Sequence, residues 1–144
     1  MIRVLLVDDH QLVREGIQNI LSEASDIQVV GEASDGQEAQ IKARELKPDL
    51  VLMDLQMPVF DGISAIGPIK EDLPETKVAA LTVVDTDRSL FQALKAGADG
   101  YLLKNMSSLE FIKAVRSIMQ GEVTVSSPLA ARILRAFADG IQGK

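Results

Sequence analysis

The sequence predicts an α/β domain, a doubly wound (βα)5 parallel sheet followed by a C-terminal linker helix. Three observations carry the prediction. Short segments rich in Val, Leu and Ile recur five times along the chain. None of them shows a consistent polar face at period two, as expected of central strands covered on both sides. Between them lie stretches whose apolar residues repeat at helical spacing, so the order is strand, helix, strand throughout.

The first strand is read over Ile2–Val7, and a helix follows with apolar Leu12, Val13, Ile17, Ile20, Leu21 and Ala24 on one stripe. The second strand is Ile27–Ala33. Asp35-Gly36-Gln37-Glu38 then has the spacing of a capping box, so a helix starts there. Pro48 and Pro74 precede the third strand (Asp49–Met53) and the fourth (Lys77–Thr82), at points where a helix must already have ended. Gly97 closes the fourth helix before a fifth strand, Gly100–Leu103. Ser107-Ser108-Leu109-Glu110 caps a helix carrying Phe111, Ile112, Val115, Ile118 and Met119. After Gly121 the rhythm changes to an extended linker over 122–128 and a sixth helix over 129–137, with apolar residues 129, 133, 134 and 137 in one stripe. The expected division is a domain over 1–121 and a linker with its helix over 122–144. The stripe on that last helix is read as intramolecular packing, with a dimer or interdomain contact as the alternative.

Composition narrows the function. The chain of 144 residues has 15 Lys+Arg against 21 Asp+Glu, a net charge of -6. That balance disfavours non-specific attraction to nucleic acid or an anionic membrane and suits a site for a divalent cation. With no cysteine, thiolate metal sites and Cys nucleophiles are excluded. No stretch approaches the roughly 20 apolar residues of a membrane span, and the chain is read as cytoplasmic.

In an open parallel sheet, ligands gather beyond the carboxyl ends of the strands. Those ends present Asp8 and Asp9 after strand one, Asp54 after strand three, Thr82 at the end of strand four and Lys104 after strand five. Two unit charges about 4 Å apart interact by roughly 4 kcal/mol at an effective dielectric near 20, so three carboxylates together call for cations. Lys104 supplies one. An oxygen-rich remainder suits Mg²⁺, and one carboxylate beside that ion is able to attack a phosphoryl group. Thr82 and Lys104 are then placed to bind the phosphoryl oxygens. His10, the only histidine, stands at a helix start and is read as a surface or supporting residue. Gly36 and Gly62 are read as turn residues, and Met53 and Met57 as packing.

Val7-Asp8-Asp9, Met53-Asp54-Leu55-Gln56-Met57-Pro58 with Asp61-Gly62, Leu81-Thr82 and Tyr101-Leu102-Leu103-Lys104 together resemble the receiver domain of two-component response regulators. Asp8-Asp9-His10, the run from Ala96 to Lys104, and Gly121-Glu122 with Ser127-Pro128 are similar to the NarL/LuxR type in particular. The resemblance covers residues 1–121 and implies the flavodoxin-like receiver fold with strand order 2-1-3-4-5. It implies Asp54 as phosphoacceptor, and Asp9, Asp54 and the backbone carbonyl of Gln56 as Mg²⁺ ligands, with Asp8 acting mostly through water. It implies Thr82 and Tyr101 as switch residues and Lys104 as the ion-pair partner. A sensor histidine kinase is the implied phosphate source, and a homodimer or a new surface around the fourth helix, fifth strand and fifth helix the implied result.

The sequence departs from that pattern at several positions. Lys104 precedes Asn105 where proline is usual, and a cis bond there would cost about 2.5–4 kcal/mol without proline. Val83 replaces a common alanine, Val84 lies two positions past the hydroxyl, and Phe60 stands where methionine is common. The two valines bear on access to the phosphate and so on its lifetime. The helix-turn-helix output of NarL/LuxR regulators needs four helices, and residues 128–144, with Arg132 and Arg135, are too few to form it. DNA is therefore expected as a partner only through a domain beyond this sequence, which is either a piece of a longer regulator or a chain ending at residue 144. Two other classes compete with a signalling switch. A haloacid-dehalogenase-like phosphatase would put its nucleophile in an Asp-x-Asp pattern on strand one, where this chain has Asp8-Asp9-His10. A pseudo-receiver binding module would not need the acidic triad and Lys104.

Overall fold

The computed structural model describes residues 1–57, 62–83, 86–122 and 124–125. The strands are β1 (Ile2–Val7), β2 (Ile27–Ala33), β3 (Leu50–Asp54), β4 (Lys77–Thr82), β5 (Gly100–Leu103) and β6 (Thr124–Val125). The helices are α1 (Gln11–Ser22), α2 (Gly36–Leu46), α3 (Gly62–Asp72), α4 (Asp87–Ala96) and α5 (Ser108–Met119). The sheet runs β2-β1-β3-β4-β5-β6, and every described pairing is parallel. The expected order holds for the first five strands. The sixth was not foreseen: part of the segment read as a linker pairs along β5, with Gly100 opposite Thr124 and Tyr101 opposite Val125.

Alternation along the strands builds two cores. Leu5, Val7, Val51, Met53, Val78, Ala80 and Tyr101 pack with residues of α2, α3 and α4 on one face. Val4, Leu6, Leu50, Leu52, Ala79, Leu81 and Leu102 pack with residues of α1 and α5 on the other. Each large aliphatic side chain so buried contributes about 1.5–3 kcal/mol relative to exposure. Apolar residues on both faces are why the strands lack a polar alternation.

Local signals set the helix ends. The Asp35 carboxylate accepts the Glu38 N–H at 2.8 Å, and Glu38 reaches back to the Ser34 N–H at 2.9 Å. Ser107 Oγ accepts the Glu110 N–H at 3.2 Å. Gly97 ends α4 at φ 107°, a conformation natural to glycine.

Three expectations need correction. Asp54 is the last residue of β3 rather than the first beyond it, and Asp49 lies before that strand, where its carboxylate accepts the Arg3 N–H at 2.9 Å. Leu12 is 81% exposed, because only Ile17 and Leu21 of α1 are fully buried. Gly36 and Gly62 open α2 and α3 and are buried, so neither is a turn residue. The helix read over 129–137, with Arg132 and Arg135, and positions 58–61 and 84 lie outside the described residues.

Candidate functional site

One further rung of the backbone ladder holds the groups at three strand ends. The Asp8 N–H donates to the Ala33 carbonyl at 3.1 Å, the Leu55 N–H to Leu81 at 3.0 Å, and the Lys104 N–H to Thr82 at 3.0 Å. The register sets Val7 beside Met53, Asp54 beside Leu81, and Thr82 beside Leu103. Asp8, Asp54, Thr82 and Lys104 are thereby brought to one edge. Asp8, Asp54 and Thr82 are buried, at 0%, 1% and 0% exposure, so their polar groups depend on one another.

Lys104 ties the cluster together. Its Nζ lies 2.7 Å from Asp8 Oδ2 and 3.3 Å from Asp54 Oδ1. The other Asp8 oxygen accepts the His10 N–H at 2.9 Å, an Asx turn that opens α1. Asp54 Oδ1 also accepts the Gln56 N–H at 3.1 Å, and Thr82 Oγ1 donates to Gln56 Oε1 at 3.0 Å. The described peptide bonds are all trans, the Lys104–Asn105 bond among them.

Two buried oxygens, Asp9 Oδ1 and Asp54 Oδ2, have no hydrogen-bond partner. His10 Nδ1 lies 3.0 Å from Asp9 Oδ1, but not in hydrogen-bonding geometry. One donor atom from each of Asp8, Asp9, His10 and Asp54 falls within 4.8 Å of the others. Buried acceptors left unpaired are rare, and a set of hard oxygens this close fits a divalent cation. His10 itself is exposed and reaches the cluster from its rim, a position that its lone occurrence in the sequence did not reveal.

Burial pushes the Asp54 carboxyl above the usual range. Its bond from Gln56 N–H and the Lys104 charge oppose that push, and the Asp8 charge adds to it. The folded state thus favours the neutral acid, so ionised Asp54 costs stability above its raised pKa, and the cost disappears as pH falls below the ordinary carboxylate range. Asp54→Asn is therefore expected to melt above the wild type at pH 7 in EDTA, with the gap closing on acidification toward pH 3. Melting curves across that range check the sign, and a lower melting temperature for the variant at pH 7 contradicts it.

Tyr101 is fully buried, and its hydroxyl donates to Ser89 Oγ in α4 at 2.8 Å. The ring is thus already inward. Ser89 was missed, since a serine in the first turn of a helix carries no sign of its tertiary partner. Val83 is 71% exposed beside Thr82. A cavity of about 440 Å³ lined by Lys47, Pro48, Asp49, Asp72, Leu73 and Thr76 lies at the opposite, amino-terminal end of the strands, away from these groups.

The model of the response regulator receiver domain family matches residues 4–116. Response regulator protein VraR of Staphylococcus aureus is 52% identical over 121 residues, which are 84% of this chain and 58% of that protein. The chain thus spans less than two thirds of the length of such relatives. A solved two-component response regulator of the LuxR family from an Aurantimonas species superposes with a TM-score of 0.90 at 33% identity, covering 96% of this chain and 99% of that one. The signal receiver domain of NarL from Mycobacterium tuberculosis gives 0.80 at 38% identity, over 84% and 98%. With the acidic cluster, the lysine and the strand order already in place, these matches identify the chain as a member of the response regulator receiver family.

Proposed function

We propose that this domain, over residues 1–121, accepts a phosphoryl group on Asp54 from the phosphohistidine of a sensor histidine kinase in the cytoplasm, and that residues 122–144 link it to an output. The observation that carries the proposal is a buried Asp54 with Oδ2 unpaired and Lys104 3.3 Å from Oδ1. An Asp54 oxygen forms the new P–O bond as the donor's P–N bond breaks. The leaving imidazole nitrogen keeps that electron pair and takes a proton from solvent.

Asp9, Asp54 and the Gln56 backbone carbonyl would hold Mg²⁺, with Asp8 acting through water. Bound there, the ion supplies positive charge that lessens repulsion between the carboxylates and an incoming phosphate. Lys104 stays paired with Asp8 and is near enough to neutralise a phosphoryl oxygen. For Thr82 to bind another such oxygen, its hydroxyl must leave Gln56 Oε1. That movement, together with a change at Tyr101 and its Ser89 contact, is our proposed route to a changed surface or a homodimer. DNA-binding transcription control is the output that likeness to LuxR-family regulators supports, through a domain outside this sequence.

Incubation with Mg²⁺ and a small phosphodonor such as acetyl phosphate is expected to give one acid-stable, hydroxylamine-labile adduct on Asp54, absent from Asp54→Asn. No adduct, under conditions that label a control receiver, would overturn the proposal. We propose a switch rather than a metabolic enzyme, and steady turnover of a phosphomonoester would instead favour the phosphatase class.

A further inference from the structure

We infer that Arg14 is a positioning residue for the acidic turn: by holding the Asp8 carbonyl against Glu32, its guanidinium sets how Asp9 presents its carboxylate to a divalent cation. The inference rests on the metal-binding role proposed above. Beyond the rung from the Asp8 N–H to Ala33, the β1 backbone leaves the sheet. There the Asp8 carbonyl accepts Arg14 Nη1 at 2.5 Å. Nε of the same side chain donates to Glu32 Oε1 at 2.9 Å.

The guanidinium is a rigid fork, so its two bonds fix the Asp8 carbonyl relative to β2. The peptide unit is planar, so holding that oxygen also holds the N and Cα of Asp9. Asp9 Oδ1, buried and without a hydrogen-bond partner, takes its aim from this backbone. Arg14 is only 17% exposed and Asp8 is fully buried, so water competes weakly for the bond between them, while the Glu32 end, at 41%, is more open.

The register of β2 puts Glu32 within reach. Val29 pairs with Val4 and Gly31 with Leu5, so Val30 is an extra residue and Glu32 stands opposite Leu6. Glycine at 31 lets the bulge sit under Leu46, whose Cδ1 would be 2.5 Å from an added Cβ. Lys42 Nζ donates to the Glu32 carbonyl at 2.6 Å and so also holds that residue.

Charge alone predicts the opposite effect of removing Arg14. A cation near the cluster repels Mg²⁺, so its loss would tighten binding; loss of a positioning contact weakens it. Calorimetric titration of Mg²⁺ into the wild type, Arg14→Gln, Arg14→Lys and Glu32→Ala separates the two. About 10-fold weaker binding is expected for Arg14→Gln, the lower end for groups that support metal ligands. Arg14→Lys should fall short of wild type, since one ammonium cannot span both acceptors, and Glu32→Ala should weaken binding by a smaller factor. Hydrogen exchange at the His10 amide, which donates to Asp8 Oδ1, should speed up in each variant without metal. Binding by Arg14→Gln as tight as wild type or tighter, or full recovery with Arg14→Lys, overturns the inference alone. Should Arg14→Gln not fold, unchanged affinity in Glu32→Ala does the same. A wild type that takes up no Mg²⁺ removes the metal-binding role and this inference with it.

Discussion

Replacing Lys104 with methionine is expected to destabilise the metal-free protein by about 3–5 kcal/mol, the usual result of removing one partner from a buried ion pair. Asp8 is fully buried and its Oδ2 lies 2.7 Å from the Lys104 ammonium. Without that cation the carboxylate keeps only the His10 side of its contacts, at Oδ1. Methionine fills similar space, so the loss is mainly electrostatic. Urea unfolding should show a lower midpoint with an unchanged slope. Adding Asp8→Asn should restore part of the loss, because the orphaned charge goes with it, and a double variant less stable than Lys104→Met alone would contradict the ion-pair account. Labelling of Asp54 should fail in the single variant for a second reason, since the same ammonium stands 3.3 Å from Asp54 Oδ1.

Gly62→Ala should cost about 3 kcal/mol, at or above the upper end for inserting a methyl group into packed structure. An added Cβ would lie 2.1 Å from the Asp54 carbonyl oxygen, 3.0 Å from its carbonyl carbon and 2.8 Å from Met53 Cγ. The nearest of these atoms is backbone in a central strand, so it cannot swing away. Either α3 retreats or the end of β3 does, and both move Asp54. Phosphorylation should slow by on the order of 10²-fold if the displacement approaches about 1 Å. Gly67→Ala in the same helix is the control. Nothing lies within 4 Å of its added Cβ, and the helix gains up to about 1 kcal/mol from alanine. Opposite signs for two identical substitutions five residues apart, read by thermal melts, would separate close approach from helix propensity. Equal effects would argue against it.

The strands were legible because each is a run of residues fit for burial on both faces, and their order followed from the resemblance. The edge that gathers Asp8, Asp54, Thr82 and Lys104 was legible because a parallel sheet sends all its carboxyl ends one way. What escaped was whatever depends on a tertiary neighbour. Leu12 has the right spacing for a core stripe, but the strip of α1 against the sheet is narrower than its apolar face. Gly62 looks like a turn residue until the Asp54 carbonyl is seen against it. Asp54 seemed to lie past its strand because a carboxylate rarely sits in one, yet it pairs in register with Leu81. Arg14 gave a faint signal, a basic residue one turn into the helix after two aspartates, and its Glu32 partner needed the bulge in β2 to be found.

The sixth strand bears on how the sheet's borders are guarded. Unpaired strand borders template association with other chains, and natural sheets blunt them with bulges, charges or very short terminal strands. The β2 border has the bulge at Val30 and the charge of Glu32. At the opposite border, Thr124 and Val125 cover Gly100 and Tyr101 with a strand too short to template another. A chain cut before residue 122 would expose the main-chain groups of Gly100 and Tyr101 in β5, a short apolar strand of sequence GYLL, and so gain a route to aggregation that the longer chain closes with its own residues.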